Sequence, residues 1–424
     1  MMGRSASTSF AFFLLMCPGG IVMAQSWEVF DMNTADLPSN TVRAIAHDST
    51  GNTWLGTDFG LCRFDGTEWE VLQQGTSDLP ENDIRSLAVD GAGRLWVGMF
   101  TEGLAVLDGL GWTHYAPNVS TFPGQTIREI AFDPDGWAWM ATSDGVVHTD
   151  LQEWRLYNDT DESYNGAILP GVNIASIAVR SDGLVCIGTL NAGFVYISDQ
   201  GVVVYNTAVN SLPDNTALGV ALDANGDRWA ACPFGGLLRN FGDHDGGFWL
   251  QYITANSSIA ANSLYDVTVD AADRKIVAFQ ASGVGFFSGL DDWTYQTAQN
   301  SNLPDNEVLR LSLDPLGVLW VGTANGGAAR LDYTVGMEVI GPSEQGMKVF
   351  PDPAEDFAFV ELAGMVASGS LNWSVFDLRG SVCASGSWPA GAMARLDVTP
   401  LPSGVYLLQV TGSEARRTMR FMVR

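Results

Sequence analysis

Along residues 37–65, LPSNTVRAIAHDSTGNTWLGTDFGLCRFD, apolar positions gather in three short runs separated by polar turns. The runs at 41–47, 53–56 and 61–64 are rich in β-branched and aromatic residues, the composition of strands. Asp48-Ser49-Thr50-Gly51 separates the first two, with Asp at the first and Gly at the fourth position of a type I turn. Gly60 supplies the reversal before the third run, since glycine takes a positive φ without a Cβ penalty. One small sheet of this kind cannot bury both its faces, so the pattern predicts copies.

The copies follow. The Trp of WLGT recurs in register as Trp54, Trp96, Trp139, Cys186, Trp229, Ile276 and Trp320, at steps of 42, 43, 47, 43, 47 and 44 residues. The turn keeps phase at Asp48–Gly51, Asp90–Gly93, Asp133–Gly136, Arg180–Gly183, Asp223–Gly226, Asp270–Asp273 and Asp314–Gly317. A Leu-Pro or its remnant precedes each first strand, at Leu37, Leu79, Phe122, Leu169, Leu212, Ile259 and Leu303. A fourth segment carries Trp69, Trp112, Trp154, Trp249 or Trp293, with Val203 in the degenerate fourth unit. Units of about 40–45 residues with four strands each predict an all-β propeller of seven blades. The seventh unit lacks a fourth strand, but Trp27-Glu28-Val29-Phe30 matches Trp69-Glu70-Val71-Leu72. The N-terminal segment is therefore expected to close the ring and hide its sheet edges.

Charge and cysteine content narrow the function. Residues 25–340 carry 13 Lys/Arg against 40 Asp/Glu, a net of −27, so the propeller should repel nucleic acid and anionic membranes. Arg4, the apolar run 10–16 and Val22-Met23-Ala24 read as a signal peptide over residues 1–24, cleaved after Ala24. Met16 stands where a bacterial lipobox at Cys17 would place a small residue, and no later run is long enough to span a bilayer. Cys62, Cys186 and Cys232 fall in strand motifs and are read as buried, unpaired thiols acting as small hydrophobes; Cys383 is the fourth of the mature chain.

The segments LPSNTVRAIAHDSTGNTWLGTDFGL, LPENDIRSLAVDGAGRLWVG and LPDNEVLRLSLDPLGVLWVGTANGG resemble the two-component regulator propeller repeat, and the resemblance extends over residues 27–332. It implies the fold. In that family the propeller often serves as the periplasmic sensor of hybrid kinases, and no kinase segment is read here.

From Gly341 the repeat stops. Residues 341–347 read as a linker and 348–424 as a small antiparallel sandwich of immunoglobulin-like type, with strand-like runs at 357–362, 371–378, 394–398, 405–410 and 418–423. This segment resembles the C-terminal sorting domain of the type IX (Por) secretion system. The matching residues are Val349-Phe350-Pro351-Asp352-Pro353-Ala354, Val375-Phe376-Asp377-Leu378-Arg379-Gly380, Leu396-Asp397-Val398, Leu401-Pro402-Ser403-Gly404-Val405-Tyr406-Leu407 and Arg420-Phe421-Met422-Val423-Arg424. Asp352 stands where the family usually has Asn. Phe350, Pro351, Asp352, Pro353, Gly380, Gly404 and Tyr406 are its marker positions. The resemblance implies the secretion machinery as partner, and a protein removed from its sorting domain and attached to the outer surface or released.

No phosphate loop, CxxC, HExxH or GxSxG is present. His47, His114, His148 and His244 share no repeat phase and read as strand or turn residues. Variation is concentrated in the loops joining second to third strands, on the face where propellers meet ligands. Asp58, Phe59, Phe100, Glu102, Asp144, Asn191, Phe234 and Asn325 are the candidate binding residues, against the alternative that the Phe rings pack between blades. No cofactor is called for. Asp159, Asp161 and Glu162 have the alternation that can coordinate calcium, but neither they nor the acidic insert 243–247 make a full ligand set, and solvated loops are the preferred reading. The expected function is non-catalytic recognition of a surface ligand, glycan or protein. The alternatives are an extracellular propeller enzyme, a polysaccharide lyase or glycosidase using mouth carboxylates, and a periplasmic sensor.

Overall fold

The computed structural model describes residues 27–117, 122–160, 169–171, 173–198, 201–208, 212–241, 248–289, 291–332, 347–350, 354, 356–362, 370–376, 382–389, 393–411 and 416–423. Seven four-stranded antiparallel sheets form the blades, spanning 42–72, 84–115, 127–157, 174–205, 219–252, 264–296 and 308–331. Blade seven takes its outer strand from the other end of the chain: Glu28–Phe30 pairs with Ala328–Leu331, Val29 facing Ala329. The expected closure is therefore realised. Trp27 Nα donates to Asn302 Oδ1 at 2.8 Å, and Glu28 pairs with Arg330 at 2.7 Å.

Each recurrent residue has a physical task. All seven predicted turns form, with the fourth residue donating to the first carbonyl at 2.9–3.2 Å. Asp273 fills the glycine slot of the sixth turn at φ +64°. In four blades the turn Asp also receives the indole N–H of the Trp six residues on, as at Asp90 from Trp96 (2.9 Å) and Asp223 from Trp229 (2.9 Å). Burial opposes ionisation of Asp48, yet bonds from Thr50, Asn52 and Trp54 bring its pKa down to about 2. The Gly of WLGT lets blades approach: a Cβ on Gly322 would stand 2.5 Å from the Val42 carbonyl of blade one. The Trp residues lie between blades. Trp96 is 1% exposed and packs with Ile127, Ile130, Met140 and Val147 of blade three. Cys62, Cys186 and Cys232 are buried and free, and burial pushes the thiols of Cys62 and Cys186 up to about 12. Cys383 is exposed.

The C-terminal segment is a two-sheet sandwich. Met347–Phe350, Phe357–Leu362 and Met393–Asp397 form one sheet; Val382–Pro389, Ser370–Phe376, Gly404–Thr411 and Arg416–Val423 form the other. Its first strand begins at Met347, inside the span read as linker. Val382–Pro389 was not expected from the sequence, and the reason is its composition: it is an edge strand of mostly exposed small residues, with only Trp388 buried. Strand Phe357–Leu362 is two-sided. Ala358 and Val360 face the sandwich core, while Phe357 and Phe359 join the cluster of Trp229, Tyr252 and Phe287 from blades five and six. Glu361 reaches Arg239 at 4.0 Å.

Candidate functional site

Each first strand begins on the face that carries the second-to-third hairpins. In six blades its pairing slips by one residue directly after its first position, between Val42 and Ala44, Ile84 and Ser86, Ile127 and Glu129, Ile174 and Ser176, Leu264 and Asp266, and Val308 and Arg310. Such a bulge leaves one residue out of the ladder and re-aims its side chain. Around the ring the bulged column reads Arg43, Arg85, Arg128, Ala175, Leu218 (the unbulged fifth blade), Tyr265 and Leu309. A cavity of about 390 Å³ opens there, lined by Arg43, Arg85, Phe100, Thr126, Arg128, Leu218, Tyr265, Leu309 and Arg310.

One residue deeper, Arg310 of blade seven pairs with Glu129 of blade three and lies 3.8 Å from Asp266 of blade six. The pair links blades that are not neighbours, so it crosses the axis. Glu129 also accepts from the Ser176 hydroxyl and the Ile177 amide (3.1 Å), and Asp266 accepts from the Val267 and Leu311 amides at 2.9 Å each. Burial pushes Asp266 up to about 6, against the pull of Arg310. Burial works against charge on Arg310, but Glu129 and Asp266 outweigh it and raise its pKa. Below this plug lies a second cavity of about 440 Å³ among Ile177, Val220, Thr268 and Ser312.

The hairpin tips rest on a constant base. Thr57, Thr142, Thr189 and Thr323 each donate at 2.8 Å to the glycine carbonyl that opens the third strand. Asp214 and Asp305, following Leu-Pro, accept the tip amides of Phe234 and Asn325 at 3.1 Å. Of the eight candidate residues only Phe100 lines the mouth; its ring lies 4.4 Å from the Arg85 guanidinium and is 44% exposed. Asp58 stands behind, 3.7 Å from Arg43, and Asp144 acts electrostatically on Arg128. Phe59 (59% exposed), Phe234 (81%), Asn191, Asn325 and Glu102 stand at the tips outside the cavity. The three Phe rings are thus not packed between blades. Glu102 lies 3.8 Å from His114.

Sequence reasoning missed Arg43, Arg85, Arg128 and Arg310. Their signal was a column: aligning the first strands by repeat phase places Arg three times at the same position. Of the calcium candidates, Asp159 is exposed, while Asp161 and Glu162 lie outside the described residues, as does the insert 243–247. No cluster of three or more potential metal ligands occurs among the described residues. His47, whose pKa burial pulls down to about 4, and His148, which meets Asp133 at 3.1 Å, are separate strand residues; His244 lies outside the described set. Of the sorting markers, Tyr406 is buried and donates to the Pro402 carbonyl at 2.7 Å, Gly404 faces Val423 and Phe350 faces Phe359. Pro351, Asp352, Pro353 and Gly380 lie outside the described residues.

Residues 348–424 match the family described as secretion system C-terminal sorting domain, and residues 36–59, 78–101 and 302–325 match the two component regulator propeller. No curated protein matches the chain. Among solved structures it is similar to PorZ, a surface component of the type-IX secretion system of Porphyromonas gingivalis, at 18% identity and TM-score 0.59, over 93% of this chain and 60% of that one. It is similar to the extracellular domain of the putative hybrid two component system BT3049 from B. thetaiotaomicron, at 15% and 0.62, over 94% and 57%. Virginiamycin B lyase from Staphylococcus aureus follows at 13% and 0.57, over 72% and 99%. The chain thus spans about three fifths of the first two, and at these identities the likeness is one of fold.

Proposed function

Because the chain is a propeller of two-component regulator repeats with a C-terminal sorting domain, which marks it for type IX export to the cell surface or beyond, we propose that it is a non-catalytic recognition module. Its ligand meets the hairpin face and the axial mouth. The observation that carries this reading is the mouth itself: bulges aim side chains from successive blades into one cavity, with the half-exposed Phe100 ring at its rim. The carboxylates nearest the axis, Glu129 and Asp266, already accept bonds from the propeller's own donors.

Alanine at Phe59, Phe100, Phe234, Asp58, Glu102 or Asp144 should weaken binding by about 1–3 kcal/mol, as at recognition hot spots, with melting nearly unchanged. Calorimetry paired with melting curves on residues 25–340 checks this, using whichever sugar a glycan array retains. Early unfolding of the three Phe variants would remove the hairpin face as the site. A propeller-type lyase or glycosidase is the second reading, favoured by Asp266, whose pKa burial raises and which lies 3.8 Å from the Arg310 that lines the mouth. Turnover of a bound glycan that disappears in Asp266→Asn, with binding retained, would put it first.

The address has its own test. A chain ending at Ile340 should keep a folded propeller yet remain in the periplasm of a host with type IX export. Its appearance at the cell surface would sever the sorting domain from secretion.

A further inference from the structure

The propeller is strongly acidic, yet four of its 13 basic side chains, Arg43, Arg85, Arg128 and Arg310, line the one 390 Å³ mouth, and no carboxylate lines it. Arg310 is committed to Glu129 and Asp266. Arg43 lies 3.3 Å from Asp83, and Arg85 2.7 Å from the same carboxylate, so the two share one counter-charge besides Asp58. The Nε of Arg85 is buried without a partner. Arg128 donates to the Ile174 carbonyl at 2.9 Å and has no carboxylate within 4.0 Å among the described residues. Burial and then the like charge of Arg85 lower its pKa, a repulsion that an anion in the mouth would relieve. Apart from Arg310 of blade seven, whose charge Glu129 and Asp266 take up, the charge lies on one side. Blades one to three present arginine, while blades five to seven present Leu218, Tyr265 and Leu309 across the opening.

Building on the recognition reading, we propose that this mouth takes an acidic sugar: one carboxylate held by the guanidiniums of Arg85 and Arg128, with the ring's C–H face against Tyr265 and Leu309. Guanidinium matches a carboxylate in planar, paired hydrogen bonds. Aromatic and aliphatic walls suit the less polar face of a pyranose. The cavity has the size of a small-ligand pocket, about 300–1,000 Å³. The surrounding acidity selects against a polyanion lying across the face and favours a single anionic residue entering at the axis.

The experiment titrates the chain, freed of its leader, with galacturonate, trigalacturonate, galactose, benzoate and inorganic sulfate by calorimetry at low and high salt. Galacturonate is expected to bind while galactose does not, trigalacturonate to bind no more than a few-fold tighter, and added salt to weaken both. Arg128→Met, which keeps the stem of the side chain, should weaken galacturonate at least tenfold. Arg155→Ala removes the same charge from an outer strand, where Arg155 pairs with Glu153, and should change nothing. Melting curves on each variant separate loss of binding from loss of fold, and Arg85→Lys supplies a second reading if Arg128→Met melts early. Benzoate binding better than galacturonate overturns the sugar, and sulfate binding alone means an adventitious ion only. Galactose binding as well as galacturonate, unchanged by Arg128→Met but lost in Phe100→Ala, overturns the acidic ligand and leaves the recognition reading standing. Absence of binding by all five overturns the acidic sugar, while a neutral glycan lost on the rim Phe variants would still uphold recognition.

Discussion

Removing residues 25–31 is expected to open the ring, lowering the melting temperature by about 10 °C or more and driving aggregation. The size of the effect follows from what this short strand buries. Trp27 is 2% exposed and Phe30 7%; Phe30 stacks on Trp320 at 5.5 Å and lies 5.3 Å from both Phe64 and Trp69. The strand therefore bonds blade seven along its edge and at the same time packs blade seven on blade one. Without it, Ala328–Leu331 becomes an unpaired edge beside exposed apolar surface, the arrangement that recruits another chain. Thermal melts with light scattering check this, and a deletion that melts like the parent would mean the ring closes by other means.

Alanine at Trp96 should cost about 3–5 kcal/mol of stability, because the ring fills the space between blades two and three and cannot be replaced by collapse of two rigid sheets. It also removes the indole donor to Asp90. Phenylalanine at the same position keeps most of the packing and loses that bond, so it should cost only about 1 kcal/mol beyond the volume change. Denaturant melts on both variants measure the difference. Equal losses would assign the Trp to the turn rather than to the blade interface. Neither change should alter ligand binding at the mouth when measured well below the midpoint of unfolding.

The fold was legible because a repeat states its rule seven times. Cys186 and Ile276 break the Trp column, yet both occupy the same second position of their strands as Trp54 and Trp96, so period outweighed identity. The hairpin tips were legible as positions, since Phe59 and Phe234 stand exposed where variation was seen. The mouth was not. Simple alternation assigns a strand residue to one of two faces, and Arg43, Arg85 and Arg128 obey neither, because the pairing slips at their position. A bulge is a property of two strands and leaves no mark in the sequence of one. The pairing of Arg310 with Glu129 depends on how nearly seven first strands converge, a dimension that periodicity does not encode. Val382–Pro389 was hidden for a different reason: an exposed edge strand needs no apolar alternation.

Strand Phe357–Leu362 fixes which end of the propeller the sorting domain meets. Its Glu361 carboxylate lies where a side chain on Gly289 would meet it, in the turn between the third and fourth strands of blade six. Those turns share the end of the propeller with the Asp turns, opposite the hairpins and the arginine mouth. Whatever grips the sorting domain therefore holds the wheel from its rear. The mouth therefore opens on the end of the propeller opposite this strand. The Arg310 spoke stands between that front mouth and the second cavity behind it, and its side chain lines both.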